Sequence, residues 1–132
     1  MKKVLSILAL AIVIVSCSKS KDDVAAQPQP AQPTVVGFWK GTYGGNTPFA
    51  ITFRADGTMR VYANNADTAQ ASKAEGSYAL NEAKTAVNGY YTYLNGSGHY
   101  TMTTSLNKEM TQINGQYLKT GTAITGTFSL TK

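Results

Sequence analysis

Residues 34–132 predict an all-β domain, an eight-stranded antiparallel up-and-down (meander) barrel. Three observations carry that expectation. The single Trp, all four Phe and all eight Tyr fall in this stretch, among many threonines and without any run of helical spacing. Short strand-forming runs alternate with turn signals, as they do in sandwiches and barrels. The connections are too short for parallel crossovers, which take about a dozen residues, so strands adjacent in sequence pair in space.

The runs follow in order. The first, 35–43, ends at Gly44-Gly45-Asn46-Thr47-Pro48. Runs 49–54 and 58–64 flank Ala55-Asp56-Gly57, and Asp-Gly between alternating runs is a strong hairpin signal. Residues 65–73 form the one longer loop. Runs 74–80 and 85–93 flank Asn81-Glu82-Ala83-Lys84. Asn95-Gly96-Ser97-Gly98 leads into 99–106, Asn107-Lys108-Glu109 into 110–118, and Lys119-Thr120-Gly121 into 122–131. An open meander would leave two sheet edges exposed, and pairing the first strand with the last removes both. A two-sheet sandwich with the same meander is the alternative.

Five runs share the pattern apolar-x-Gly-x-aromatic: Val35/Gly37/Trp39, Ala74/Gly76/Tyr78, Val87/Gly89/Tyr91, Ile113/Gly115/Tyr117 and Ile124/Gly126/Phe128. Side chains alternate across a strand, so each glycine shares a face with the apolar residue before it and the ring after it. Repeated glycines let strands coil into a barrel while neighbouring rings cover them. The alternation places Trp39, Phe49, Ile51, Phe53, Met59, Val61, Tyr78, Leu80, Val87, Tyr91, Tyr93, Tyr100, Met102, Leu106, Ile113, Tyr117, Ile124, Phe128 and Leu130 inside. Lys40, Thr42, Thr52, Arg54, Arg60, Glu75, Asn88, Thr101, Thr103, Thr125, Thr127 and Thr131 fall outside. A lipid-facing barrel needs an apolar exterior, which this is not.

Upstream, Met1-Lys2-Lys3 and the apolar run 4–15 read as the n-region and h-region of a secretory signal. These twelve residues, apolar but for Ser6, make a helix of about 18 Å, short of the ~30 Å needed to span a bilayer. Ile14-Val15-Ser16-Cys17 resembles the bacterial lipobox, which implies a signal peptide at 1–16 and lipidation of Cys17, the only cysteine. Several acyl chains on one residue anchor stably. Residues 17–33 then form a disordered Gln-Pro-rich tether. Ser18 departs from the aspartate that resembles an inner-membrane retention signal, so the outer membrane is expected. Ser18-Lys19-Ser20-Lys21-Asp22-Asp23 is similar to the export cluster of Bacteroidetes surface lipoproteins, which implies the cell surface; the periplasmic face is the alternative.

Gly37-Phe38-Trp39 resembles the G-x-W signature of the calycins, the lipocalin and avidin group. The segment 49–58 is similar to an avidin hairpin, and 124–132 to the last strand of small Bacteroidetes lipoproteins. The resemblance implies that Trp39 closes the barrel floor. It does not bring the biotin site of avidins, which uses several tryptophans where this chain has one.

The chemistry available is sparse. His99 is the only histidine and faces outward, and with Cys17 lipidated no metal set of three or four ligands can form. Asp56, Glu82 and Glu109 lie in turns, Asp67 in the long loop, and Glu75 faces out, so no carboxylate pair suits acid–base catalysis. No enzyme activity and no cofactor is expected. The formal charge is +5, and without Lys2 and Lys3 ten cations face seven acids, a balance of +3. These cations are scattered, which argues against nucleic acid. Asp67-Thr68-Ala69 resembles the O-glycan acceptor of exported Bacteroidetes proteins, making Thr68 a modification candidate, and Asn95-Gly96-Ser97 reads as a turn.

Tyr91, Tyr93, Tyr100 and Tyr117, with Thr104, are the candidate ligand-binding residues of a cup at one barrel mouth. Buried tyrosine hydroxyls want partners. The same rings also suffice to fill an eight-stranded interior, which is just wide enough for side chains. The expected function is a non-catalytic module for a small molecule or glycan. The alternative is a protein-binding barrel, an inhibitor or interaction module, acting through the loops at 43–48 and 64–73.

Overall fold

The computed structural model describes residues Gln32–Lys132. The signal segment, Cys17 and the tether up to residue 31 lie outside the described residues. Eight strands follow one another: β1 (Gly37–Tyr43), β2 (Thr47–Phe53), β3 (Thr58–Ala63), β4 (Ser72–Leu80), β5 (Val87–Tyr93), β6 (His99–Leu106), β7 (Gln112–Lys119) and β8 (Thr125–Thr131). Each pairs antiparallel with its sequence neighbour, and β1 pairs with β8 from Lys40↔Thr131 to Tyr43↔Phe128. The barrel is closed. A sandwich, the alternative reading of the sequence, does not form.

Four strands, β1, β5, β7 and β8, start two residues or more later than their composition suggests, and two of these delays share one device. Asn81 Oδ1 accepts from the backbone N–H groups of Thr85 and Ala86 at 2.8 and 3.0 Å, while its Nδ2 donates to Thr85 Oγ1. Asn107 repeats the arrangement on Thr111 and Gln112, both at 2.8 Å. In each turn the fourth residue has positive φ, Lys84 at 56° and Met110 at 51°. Asparagine thus satisfies two N–H groups that a ladder would otherwise take. Strands β5 and β7 begin after it. Ile124, expected inside, is 54 % exposed because β8 starts only at Thr125 and Ile124 remains in the turn.

The core runs the length of the barrel, with Ile51, Phe53, Met59, Val61, Val87, Ile113 and Leu130 sealed from solvent. Trp39, fully buried, stands at the end where β1 begins, and its Nε1 donates to Val35 O at 2.7 Å. Val35 itself is buried although it precedes the strand. Lys132 Nζ lies 5.6 Å from the centre of the Trp39 ring and donates to Thr34 O. This end is the floor, and the chain enters the barrel here.

The glycine pattern becomes reciprocal pairs. Across β7 and β8, Gly115 stands opposite Phe128 and Tyr117 opposite Gly126, and each ring lies over the facing glycine. Across β4 and β5, Gly76 stands opposite Tyr91 and Tyr78 opposite Gly89. At Gly76 the neighbouring backbone approaches so closely that a Cβ would meet Tyr90 O and Tyr91 Cα. Strand coiling and ring coverage therefore use the same residues.

Candidate functional site: a tyrosine cup at the barrel mouth

At the end opposite the floor the strands deliver tyrosines from four directions. Tyr43 closes β1, Tyr91 and Tyr93 close β5, Tyr100 opens β6 and Tyr117 sits near the end of β7. Tyr91 and Tyr100 are register partners and stack at 5.3 Å with an interplanar angle of 5°. Tyr93 meets both edge-on, at 5.9 and 5.4 Å. Edge contacts of 6.1 and 6.0 Å continue from Tyr100 to Tyr117 and from Tyr117 to Tyr43. Such geometry sets the positive edge of one ring on the negative face of the next.

These rings do not fill the mouth. With Phe49, Asn64, Ser72, Asn95 and Ser97 they line a cavity of about 300 Å³. No ionisable Asp, Glu, Lys, Arg or His side chain is in its lining. Tyr43 spends its hydroxyl on Asn64 Oδ1 at 2.5 Å, and Asn64 Nδ2 reaches Ser72 Oγ at 3.3 Å. Among the described residues the hydroxyls of Tyr91, Tyr93, Tyr100 and Tyr117 have no protein partner, while no fully buried side-chain polar atom is left unpaired. Those four hydroxyls therefore open into the cavity. For Tyr91, only 2 % exposed as a residue, the hydroxyl is the part that reaches it.

Burial, foremost, pushes the Tyr91 and Tyr93 phenols well above the ordinary tyrosine range, and the neighbouring tyrosine hydroxyls add to the effect. Tyr117 is raised by burial and then by Tyr43 and Tyr100. The lining is thus neutral, each phenol able to donate one hydrogen bond and accept others. It can orient an uncharged polar ring. It has no nucleophile–base pair and no charge to stabilise a charged transition state.

Of the residues the sequence singles out, Tyr91, Tyr93, Tyr100 and Tyr117 converge here, and Thr104 does not. Thr104 lies toward the floor, where its hydroxyl donates to Val87 O at 3.0 Å and accepts from Val87 N at 2.9 Å. It stands in for a ladder bond between β5 and β6. The sequence reading misses Tyr43, Asn64, Ser72, Asn95 and Ser97. Glycines after Tyr43, and the positive φ of 71° at Asn64, are the signals of chain reversal at this rim. Thr68 is half-buried in the β3–β4 loop, where Asp67 Oδ1 accepts from Ala69 N at 2.9 Å.

His99 is exposed, its Nδ1 2.7 Å from Thr92 Oγ1. Asp56 caps its turn by accepting from Thr58 N and Oγ1, and Glu75 pairs with Arg54 and Arg60 on the outer surface. Among the described residues no three His, Cys, Asp or Glu side chains converge. No protein-family model matches the chain, and no curated protein matches it in sequence.

Proposed function

We propose that the chain is a surface-exposed outer-membrane lipoprotein, held through Cys17, whose calycin-like barrel binds a small uncharged molecule or a sugar in the tyrosine cup without transforming it. The observation that carries this reading is Tyr91: a residue 98 % buried by the complement of its 2 % exposure, whose hydroxyl has no protein partner and faces a neutral cavity. The hydroxyl is reached from the cavity, so a ligand hydroxyl or carbonyl can replace water on it, a hydrogen bond worth about 0.5–1.5 kcal/mol net. The cavity, about 300 Å³, is at the small end of ligand sites, which run to about 1,000 Å³. That suits one ring-sized molecule. The chain enters the barrel at the floor, the end opposite the cup.

Native mass spectrometry of the protein purified from its producing cells tests the reading. A non-covalent adduct, lost on denaturation and lost with Tyr91→Phe and Tyr93→Phe together, is the expected result. A bare mass from freshly prepared material, unchanged on incubation with cell extract metabolites, would shift the function to protein recognition through the loops at 43–48 and 64–73.

A further inference from the structure

At the outward positions of the strands, charge is confined to β1 to β4. Lys40 on β1, Arg60 on β3 and Lys73 and Glu75 on β4 face outward, with Arg54 just past β2. The outward positions of β5 to β8 hold no Asp, Glu, Lys or Arg. Lys119 on β7 turns instead to the mouth, its ammonium 6.0 Å from the centre of the Tyr100 ring. His99, next to Thr92, and the phenol of Tyr90 are the titratable side chains at the outward positions of these four strands. The surface of a small domain is ordinarily about a quarter to a third charged, with both signs mixed. A face four strands wide without a charge needs another account.

Register supplies one. Thr103, Gln116 and Thr127 stand opposite one another across β6, β7 and β8, and Ser105, Asn114 and Ser129 form the next row. All six are exposed. Among the described residues only Ser105 uses its side chain, in a long bond of 3.4 Å to Asn114 O. The rows line a groove of about 690 Å³ that continues onto β1 at Thr42. Beyond them Tyr90, 61 % exposed, stands out of β5 opposite Thr101.

We infer that this outer face, separate from the cup, binds an extended uncharged polysaccharide. Hydroxyl and amide groups repeat at the strand spacing, about 4.8 Å, and each both donates and accepts, as sugar hydroxyls do. The absence of charge complements a polymer without charge. A nucleic acid or an anionic glycan would find no cation in these rows. Tyr90 offers an apolar ring to the C–H face of a sugar. A second copy of the chain is the poorer occupant, because on β5 to β8 only Tyr90 and Leu118 are exposed large hydrophobes and interface cores are more apolar than that.

Affinity electrophoresis tests the inference. The full chain, in a polyoxyethylene detergent whose head group is not a sugar, is run through native gels containing dextran, mannan, laminarin or galactan. At least one of these neutral polymers should retard it. Asn114→Ala with Gln116→Ala should weaken that retardation about tenfold or more, the loss of one or two hydrogen bonds, at unchanged melting temperature. Gln116→Glu, one charge at an exposed position, should weaken it too, and Tyr93→Phe in the cup should not. Retardation by none of the four gels overturns the inference, as does equal retardation of the Asn114/Gln116 variants. A concentration-dependent dimer dispersed by Gln116→Glu would overturn it by giving the face to a second copy.

Discussion

Tyr117 lies over Gly126: the two face each other across the β7–β8 ladder, and a Cβ added at 126 would stand 2.7 Å from Tyr117 Cε1. The obstacle there is a ring end that can swing into the cup. At Gly76 the obstacle is backbone, Tyr90 O and Tyr91 Cα, which cannot. Gly76→Ala should therefore cost about 1–3 kcal/mol or more, the usual range for overpacking, and Gly126→Ala distinctly less. Denaturant unfolding of the two variants checks the order, and a larger loss at 126 would refute the account.

Trp39 closes the floor with Val35 and no solvent exposure. Trp39→Ala should destabilise the barrel by about 3–5 kcal/mol. Trp39→Phe, which keeps most of the apolar volume and strands Val35 O, should lose less. Equal melting temperatures for Trp39→Ala and the parent would contradict the floor assignment.

Burial raises the phenols of Tyr91 and Tyr93 in the folded state. The neutral form is the one the fold favours, so this contribution is intact below the unfolded value, near 10, and shrinks as pH rises beyond it. Stability should fall on the alkaline side, with a late phase in the tyrosinate absorbance that coincides with unfolding. Tyr91→Phe with Tyr93→Phe should remove that phase. Its persistence would assign it elsewhere.

Glu75 bridges Arg54 and Arg60 on the outer surface. Partial burial raises its carboxyl, but the hydrogen bonds and charges of Arg54 and Arg60 outweigh burial and hold it below the usual 4.5. The folded value is the lower one, so the stabilisation is present above the unfolded value and disappears as pH falls through the folded one. At a partly exposed site it is worth under about 1 kcal/mol. Glu75→Gln should be slightly less stable than the parent at neutral pH and equal to it in acid. A gap that widens in acid would have the wrong sign.

If Cys17 carries the anchor, Cys17→Ser should move the protein from the membrane fraction to the soluble one and abolish incorporation of labelled palmitate. Continued pelleting with membranes would rule the anchor out.

Eight strands and their closure are legible because turns concentrate Gly, Asn and Asp between stretches of period two. What escapes that reading is decided by single side chains. Asn81 takes the N–H of Thr85, the expected strand start, and Asn107 that of Thr111, one residue past the expected start at 110, although their shared Asn-x-x-x-Thr spacing is visible in the chain. Ile124 fits the alternation and misses the strand by one residue. The cup is half legible. Tyr91, Tyr93, Tyr100 and Tyr117 follow from facing, whereas Asn64, Ser72, Asn95 and Ser97 reach the rim through loop geometry that periodicity does not encode. Thr104 has the inward parity and 6 % exposure of a lining residue but sits at the wrong depth.

The seam between β1 and β8 also governs when the protein can finish folding. Thr131 Oγ1 reaches Lys40 O across 91 positions of sequence, and each of the other ladders joins immediate neighbours. As the chain is threaded out from its N-terminal side, β1 to β7 can zip in turn while the free rim of β1 waits for β8. Through that interval two unpaired rims are available to any passing strand. The closing ladder also joins the two strands most remote in sequence, the kind of pairing that slows folding. Time to completion, rather than final stability, is then the vulnerable quantity, and substitutions in β8 should show first as aggregation during synthesis.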